Sequence, residues 1–157
     1  MEFNYKKTVS IIGQSNYSEK TSILAYQTGR LLGEAGFVII CGGGTGVMEY
    51  AAKGAKDAGG VTVGILPGNS PDEANPYIDI IIPCGTGQAR NIAVVNSGKV
   101  VVSIGKGIGT LSETAFAVKA GKYIISLESW EVDGVETIRA ASPQEVLEIV
   151  SGLVFEV

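Results

Sequence analysis

Apolar and polar positions along the chain form a repeating pattern, in which short apolar runs are separated by longer mixed stretches. Most of the runs are apolar at successive positions, as at Phe37, Val38 and Ile39. This is typical of parallel strands that helices cover on both faces. We predict strands at residues 9–12, 37–41, 61–66, 78–82, 100–104 and 123–127, and a short final strand near residues 135–138.

The mixed stretches between the runs predict helices, at residues 18–35, 46–58, 88–97, 110–120 and 143–150. Ser142, Pro143 and Glu145 form a helix-start pattern, with a cap residue, a proline at the first helical position and a glutamate at the third. Repeated strand-helix units with crossovers of this length give a doubly wound sheet. The predicted fold class is therefore α/β, a single Rossmann-like domain over residues 1–157 with a mainly parallel sheet of six or seven strands.

Composition narrows the function. The chain has 12 basic and 16 acidic residues, and this acidic balance argues against a nonspecific nucleic-acid binder, which needs a basic face. No apolar run approaches the roughly 20 residues that cross a bilayer, and the first residues lack the apolar region of a secretory signal. Cys41 and Cys84 are too few for a disulfide scaffold and fit a reduced, cytoplasmic location.

Histidine is absent from the chain. Nucleophilic machinery of the Ser-His or Cys-His type and histidine-ligated zinc are therefore excluded within one subunit, and we predict no metal site. Any acid–base chemistry falls to Asp, Glu, Lys, Tyr or Cys.

A glycine-rich loop follows the second predicted strand and opens a helix that contains Met48. Because loops at the carboxyl ends of parallel strands share one edge of the sheet, ligands bind there, where the strand order reverses. Closely spaced glycines let the backbone approach a ligand and present N–H groups to an anion. The alternative is a tight turn that needs positive φ. The residues of this candidate loop are Gly42, Gly43, Gly44, Thr45 and Gly46.

A similar loop follows the fifth predicted strand, with Gly105, Gly107, Gly109 and Thr110. Two such loops on one edge can together cradle a phosphate. Lys106 within it is either a phosphate partner or a solvated loop lysine. The loop after the first strand contains Gly13 and Ser15, and a plain turn and a ligand contact are equally good interpretations of it.

Arg90 and Glu113 are the candidate charged residues of the site. Arg90 falls in the first turn of a predicted helix, where a cation opposes the helix dipole, so it is either an exposed arginine or one that holds an acidic partner or a ligand oxyanion. Glu113 follows Thr110 at the spacing of a capping box, which by itself explains both residues without a ligand.

Two further features, a proline-rich loop and the cysteines, leave alternatives open. Residues 67–77 carry three of the five prolines and are predicted to form a loop, with a lid over the ligand as one possibility. Cys41 and Cys84 end strands at the binding edge, where each is either a ligand contact or a small buried hydrophobic residue.

Residues 42–48, Arg90 and residues 107–113 together resemble the LOG-like superfamily, whose members were often labelled "possible lysine decarboxylase". The molybdenum cofactor carrier proteins are close relatives of that superfamily. More distantly, the chain is similar to the Rossmann-like part of the DNA-processing protein A family. The resemblance extends from the first strand to about Leu127. It implies hydrolysis of the N-glycosidic bond of cytokinin riboside 5′-monophosphates or AMP-like nucleotides.

The resemblance also implies site residues. Glu113 matches the terminal glutamate of the family motif Pro-Gly-Gly-x-Gly-Thr-x-x-Glu, and Arg90 matches the arginine of an upstream Arg-Lys motif. Gly107, Gly109 and Thr110 match the turn that contacts phosphate.

The chain also departs from this pattern. Gly105 and Lys106 stand where the family has Pro-Gly, and Asn91 replaces the lysine after the arginine. These differences favour the carrier-like and uncharacterised branches of the superfamily over the hydrolases. The decarboxylase label fails because no lysine lies in a recognisable pyridoxal-phosphate context.

Two functions therefore stay open. One is a nucleoside 5′-monophosphate phosphoribohydrolase, in which Glu113 stabilises the ribose cation while Arg90 orients Glu113 and keeps it ionised. The alternative is a non-catalytic carrier or sensor, with no required cofactor and with molybdenum cofactor or a nucleotide as cargo. The expected partners are a small nucleotide or phosphate ligand and, as the resemblance implies, further copies of the chain in a homodimer or higher homo-oligomer. Nucleic acid and membranes are not expected partners.

Overall fold

The computed structural model describes residues 4–155, so residues 1–3 and 156–157 of the predicted domain lie outside the described residues. Single 3₁₀ turns lie at Tyr5–Lys7, Pro71–Glu73 and Gly87–Ala89. The strands and helices in chain order are β1 (Thr8–Gly13), α1 (Glu19–Glu34), β2 (Val38–Cys41), α2 (Val47–Asp57), β3 (Thr62–Leu66), β4 (Ile80–Pro83), α3 (Arg90–Ser97), β5 (Val100–Ile104), α4 (Ile108–Lys119), β6 (Ile124–Leu127), β7 (Ile138–Arg139) and α5 (Pro143–Phe155).

The strands form one sheet in the order β4-β3-β2-β1-β5-β6-β7, and every pairing is parallel. The predicted Rossmann-like α/β class is confirmed. Strands β2, β3 and β4 add successively to one side of β1, and the chain then returns so that β5 pairs with the other side of β1. The strand order thus reverses between β1 and β5, which is where this fold opens a crevice for ligands.

Two hydrophobic clusters lie on the two faces of the sheet. One joins the sheet to α1, α2 and α5 and includes Leu32, Ala51 and Val150. The other joins the sheet to α3 and α4 through Val94 and Ala117. Burial of these side chains contributes the main stabilisation of the two layers, since transfer of apolar surface out of water is worth about 25 cal/mol per Å².

Strand β4 differs from the prediction that the strands are covered on both faces. Ile80, Ile81 and Ile82 are 43%, 37% and 43% exposed. The reason is position, because β4 is an edge strand that pairs only with β3. On one face, only α3 and α4 cover the sheet, and they pack on its middle strands.

Local signals at helix ends agree with the sequence. The amide of Glu145 donates to Ser142 Oγ at 3.2 Å, and Glu145 Oε2 accepts from the amide of Ala141 at 3.1 Å. These bonds satisfy donors at the start of α5. No helix within residues 4–155 combines the length and apolar character that a membrane span needs.

The loop at residues 67–77 is fastened to the rest of the molecule. Asn75 is 9% exposed, its amide N–H donates to the Gly43 carbonyl at 2.9 Å, and its side-chain Nδ2 donates to the Gly44 carbonyl at 2.8 Å. The loop is therefore packed against the neighbouring glycine-rich loop.

Candidate functional site

A cavity of about 370 Å³ opens at the reversal point between β1 and β5. Its walls come from the loop after β1, the 3₁₀ turn and first residues that lead into α3, and the start of α4, with Met48 of α2 as a further contact. Its lining residues are Gly13, Gln14, Ser15, Asn16, Met48, Gln88, Arg90, Asn91, Gly107, Ile108, Gly109, Thr110 and Glu113.

The start of α4 forms one wall. Gly107 is the N-cap residue, and no side chain caps the helix. Thr110 is thus the third helical residue and Glu113 the sixth, so the capping-box interpretation of this pair is wrong. The first N–H groups of a helix have no intrahelical acceptor and favour an anion.

Thr110 adds an unpartnered hydroxyl to this wall. The side chain is 1% exposed, and within the described part of the chain its Oγ1 has no hydrogen-bond partner. A buried hydroxyl without a partner is costly, so this group is set up for a ligand atom.

Arg90 is the first residue of α3 and is 8% exposed. Its Nε has no hydrogen-bond partner within residues 4–155, and no described carboxylate lies within ion-pair distance of its guanidinium. Burial lowers the pKa of Arg90 below its ordinary value, an effect that the nearby Glu113 partly offsets. A buried cation without a bonded acceptor requires an anion to satisfy it.

Gly42 makes room for that guanidinium. A Cβ at Gly42 would collide with Arg90 Nη1 and approach Met48 Sδ. The guanidinium therefore lies directly against the backbone at the end of β2.

Glu113 is also buried, at 8% exposure. Burial raises the pKa of its carboxyl from 4.5 to about 7, although Arg90 acts in the opposite direction. The expectation that Arg90 keeps Glu113 ionised is therefore corrected: at neutral pH the carboxyl is close to half protonated.

The structure brings together only part of the predicted site. Of the predicted residues, those that line the cavity are Gly13, Ser15, Met48, Arg90, Gly107, Gly109, Thr110 and Glu113. Those that do not line it are Gly42, Gly43, Gly44, Thr45, Gly46 and Gly105.

The loop at residues 42–46 packs against other backbone instead. The amide of Val47, the first residue of α2, donates to the Gln14 carbonyl at 3.0 Å. Thr45 Oγ1 donates to the Ser15 carbonyl at 3.0 Å. Gly46 has φ +68, and a Cβ there would contact the backbone of Gln14 and Ser15. This loop thus holds the backbone of the β1–α1 loop in place through hydrogen bonds to the Gln14 and Ser15 carbonyls.

Amide side chains are the part of the site that sequence reasoning missed. Asn91, which is 6% exposed, donates from Nδ2 to Gln88 Oε1 at 3.5 Å. Gln14 Oε1 accepts from the Lys106 amide at 3.4 Å and so links two cavity walls. In the sequence, Asn91 and Gln14 are marked only by their positions, next to Arg90 and next to the loop glycine Gly13. The further lining residues that were not predicted are Asn16 and Ile108.

Lys106 and the cysteines take no part in the cavity. Lys106 lines a separate cavity with Glu128 and Arg139. Cys41 is fully buried, which raises the pKa of its thiol to about 11, and Cys84 packs at the edge of a hydrophobic cluster. Among the described residues, no group of three or more His, Cys, Asp or Glu side chains is placed to hold a metal ion.

Comparison with known sequences and families gives two matches. Residues 6–151 match the model of the SLOG cluster4 family. An uncharacterized protein of Archaeoglobus fulgidus is 45% identical over 120 residues, which are 76% of this chain and 79% of that protein.

Solved structures give close matches as well. The molybdenum cofactor binding protein from the phototrophic bacterium Rippkaea orientalis is 34% identical with a TM-score of 0.88, over 94% of this chain and 96% of that one. The molybdenum cofactor carrier protein from Chlamydomonas reinhardtii is 32% identical with a TM-score of 0.86, over 94% and 97%. DNA processing protein A from Streptococcus pneumoniae shares only the fold, at 20% identity and a TM-score of 0.71 over 90% of this chain and 60% of that one.

Proposed function

We propose that this chain, which belongs to the SLOG cluster4 family, holds molybdenum cofactor as cargo and releases it chemically unchanged. The resemblance to the LOG-like superfamily and to molybdenum cofactor carrier proteins is confirmed. The observation that carries the proposal is a pair of buried polar atoms, Arg90 Nε and Thr110 Oγ1, which belong to residues that line the cavity and have no hydrogen-bond partner within residues 4–155. Both are donors that a phosphate oxygen satisfies.

The cofactor is a pterin with a phosphate group, and the residues present fit the phosphate. Arg90 supplies a guanidinium for bidentate contacts, and Thr110 supplies a hydroxyl. The start of α4 supplies N–H groups and the positive end of the helix dipole. These three contributions face one cavity.

The remaining lining residues fit the heterocycle. Gln14, Asn16 and Gln88 carry amides, which both donate and accept hydrogen bonds. Glu113 accepts from ring or amino N–H groups when ionised and donates when protonated. A pterin edge presents both kinds of group, so this set matches it.

A phosphoribohydrolase is the second candidate, and one observation supports it. The pKa of Glu113 is about 7, which is suited to proton transfer at neutral pH. However, stabilisation of a ribose cation needs the ionised carboxylate, and burial disfavours that form. The likeness to carriers and this electrostatic balance favour cargo binding over hydrolysis.

A homo-oligomer belongs to the same proposal. Helices α3 and α4 carry exposed apolar side chains, namely Ile92 at 42%, Ile108 at 77% and Phe116 at 37% exposure. Ile108 also lines the cavity, so a second copy that covered these side chains would narrow the entrance. The cytoplasmic location stays a prediction from composition.

The test is to incubate the purified chain with molybdenum cofactor and, separately, with a panel of nucleoside 5′-monophosphates. We expect molybdenum and pterin to remain with the protein after gel filtration in a one-to-one ratio, and to be recovered unchanged. Free base from any nucleotide, lost in Glu113→Gln, would instead make the chain a phosphoribohydrolase. The gel-filtration volume gives the oligomeric state in the same run.

A further inference from the structure

Residues 128–130, which we call the clamp segment, follow β6 at the same edge of the sheet as the cavity. They contribute no lining residue to the cavity. Yet they make several contacts to the loop between β5 and α4, which does line it. The segment therefore acts on the site through that loop.

Three hydrogen bonds join the clamp segment to the loop and its strand. Ser129 Oγ donates to the Gly105 carbonyl at 2.8 Å, and Ser103 Oγ and Ser129 Oγ share a bond of 2.6 Å. Trp130 Nε1 donates to the Gly107 carbonyl at 2.8 Å. Both serines are buried, so their bonds are protected from water.

The backbone of the clamp segment is strained. Glu128 has φ +52 and is the single non-glycine residue with positive φ in the described part of the chain. Such a conformation persists only where the surrounding structure fixes it. An exposed ion pair of Glu128 with Lys20 at 3.1 Å adds little by itself. The bonds of Ser129 and Trp130 are the contacts that hold the turn.

The bond from Trp130 acts on the first peptide of α4. The Gly107 carbonyl also accepts from the amide of Leu111 at 3.2 Å. Its peptide carries on the other side the N–H of Ile108, the first helical residue. Two donors on one carbonyl fix the plane of the peptide and polarise its N–H. A Cβ at Gly107 would be 3.0 Å from Gln14 Cα, so the peptide is held closely from that side as well.

We propose that Trp130 is a positioning residue, which fixes the first peptide of α4 so that its N–H points at a phosphate in the cavity. The link to phosphate rests on the proposed function. The fixing of the peptide does not, because it is a property of the chain without ligand.

The test compares Trp130→Phe, which removes the donor and keeps an aromatic ring, with Tyr123→Phe as an exposed control. In the ligand-free chains, we expect the amide of Leu111, which donates to the Gly107 carbonyl, to exchange faster in Trp130→Phe alone. Affinity for molybdenum cofactor should fall by about 5-fold, the usual effect of one hydrogen bond, because the N–H of the first peptide is no longer held toward the phosphate. Affinity for a pterin without phosphate should not change.

Each outcome decides the matter. Unchanged exchange of the Leu111 amide would overturn the proposal whether or not the chain binds cofactor, and an equal loss of affinity for both pterins would show a merely structural role. Faster exchange in a chain that binds no cofactor would sustain the positioning role and contradict the proposed function. Should the variant fail to fold, the wild type serves, because its one tryptophan gives one indole N–H resonance. That proton should resist exchange with solvent and shift when cofactor is added; a rapidly exchanging proton would overturn the proposal.

Discussion

Two glycine-rich loops lie at the same edge of the sheet and open helices in the same way, but they differ in what their polar groups contact. In the loop at residues 42–46, the carbonyls of Gly43 and Gly44 accept from Asn75, and the first N–H of α2 donates to Gln14. At residues 107–113, neither a partner for the Thr110 hydroxyl nor a side-chain cap for the helix is found among residues 4–155. A ligand site is therefore indicated by polar groups that the fold leaves unsatisfied, and glycine content alone does not distinguish the two loops.

The largest expected effect is from Arg90→Met, which removes the cation and keeps much of the side-chain volume. Loss of a charge-assisted bidentate contact should weaken cofactor binding by about 100-fold. The melting temperature should not fall, because an unpaired buried charge is removed. Equilibrium dialysis and thermal unfolding measure both quantities. Arg30→Met, at an exposed arginine, is the control. A destabilised variant with normal affinity would show that Arg90 has a structural role.

Glu113→Gln should abolish the part of the pH dependence of stability that comes from the Glu113 carboxyl. The pKa of Glu113 is about 7 in the folded chain and 4.5 ordinarily, so its contribution to stability is complete below about pH 4.5 and is lost as the pH rises through 7. The difference is worth about 3 kcal/mol in the free energy of unfolding. Cofactor affinity should also change over this range in the wild type and less in Glu113→Gln, because Glu113 donates to the heterocycle when protonated and accepts from it when ionised.

Denaturant unfolding and dialysis between pH 5 and pH 8 measure these changes, with the exposed Glu136→Gln as the control. Parallel pH profiles for wild type and Glu113→Gln would contradict the assignment of this pKa.

Gly42→Ala tests how the two regions meet. Its methyl group would occupy the position of Arg90 Nη1, so the guanidinium has to move and cofactor affinity should fall by about 10-fold. In Gly44→Ala the methyl group meets only the flexible end of Met48, at 3.0 Å from Cε, and affinity should stay within about 2-fold. Isothermal titration of the two variants compares them. Equal losses would mean that residues 42–46 contact the ligand directly.

The smallest effect on binding is expected for Asn75→Ala. It removes the side-chain bond to the Gly44 carbonyl, so the free energy of unfolding should fall by about 1–2 kcal/mol. Affinity for cofactor should not change, since Asn75 does not line the cavity. Unfolding in urea and isothermal titration measure the two quantities. Weaker binding without loss of stability would indicate that the ligand contacts the loop at residues 42–46.

The sequence predicts the sheet well because runs of apolar residues report strands directly. It does not predict that Ile80 and Ile82 are exposed, because exposure depends on the strand order and on which strands α3 and α4 cover. Edge position is a property of the whole topology. A short final strand is present, as predicted, but it lies at Ile138–Arg139 and overlaps the predicted residues 135–138 only at Ile138.

The site is predictable only in part, for a related reason. Arg90 stands out because a cation at a helix start is unusual. Gln14 and Gln88 do not, since lone amides in loops are common turn residues. The role of residues 42–46 depends on Asn75, some thirty positions further along the chain, and that contact exists only in the folded molecule.

The most direct measurement is amide chemical-shift mapping of the labelled chain as molybdenum cofactor is added. The account predicts the largest shifts at residues 107–110 and 13–16, together with the side-chain resonance of Arg90, and small shifts at residues 43–45. Shifts concentrated at residues 42–46, with residues 107–110 unchanged, would contradict this site and would indicate that the phosphate binds the loop at residues 42–46.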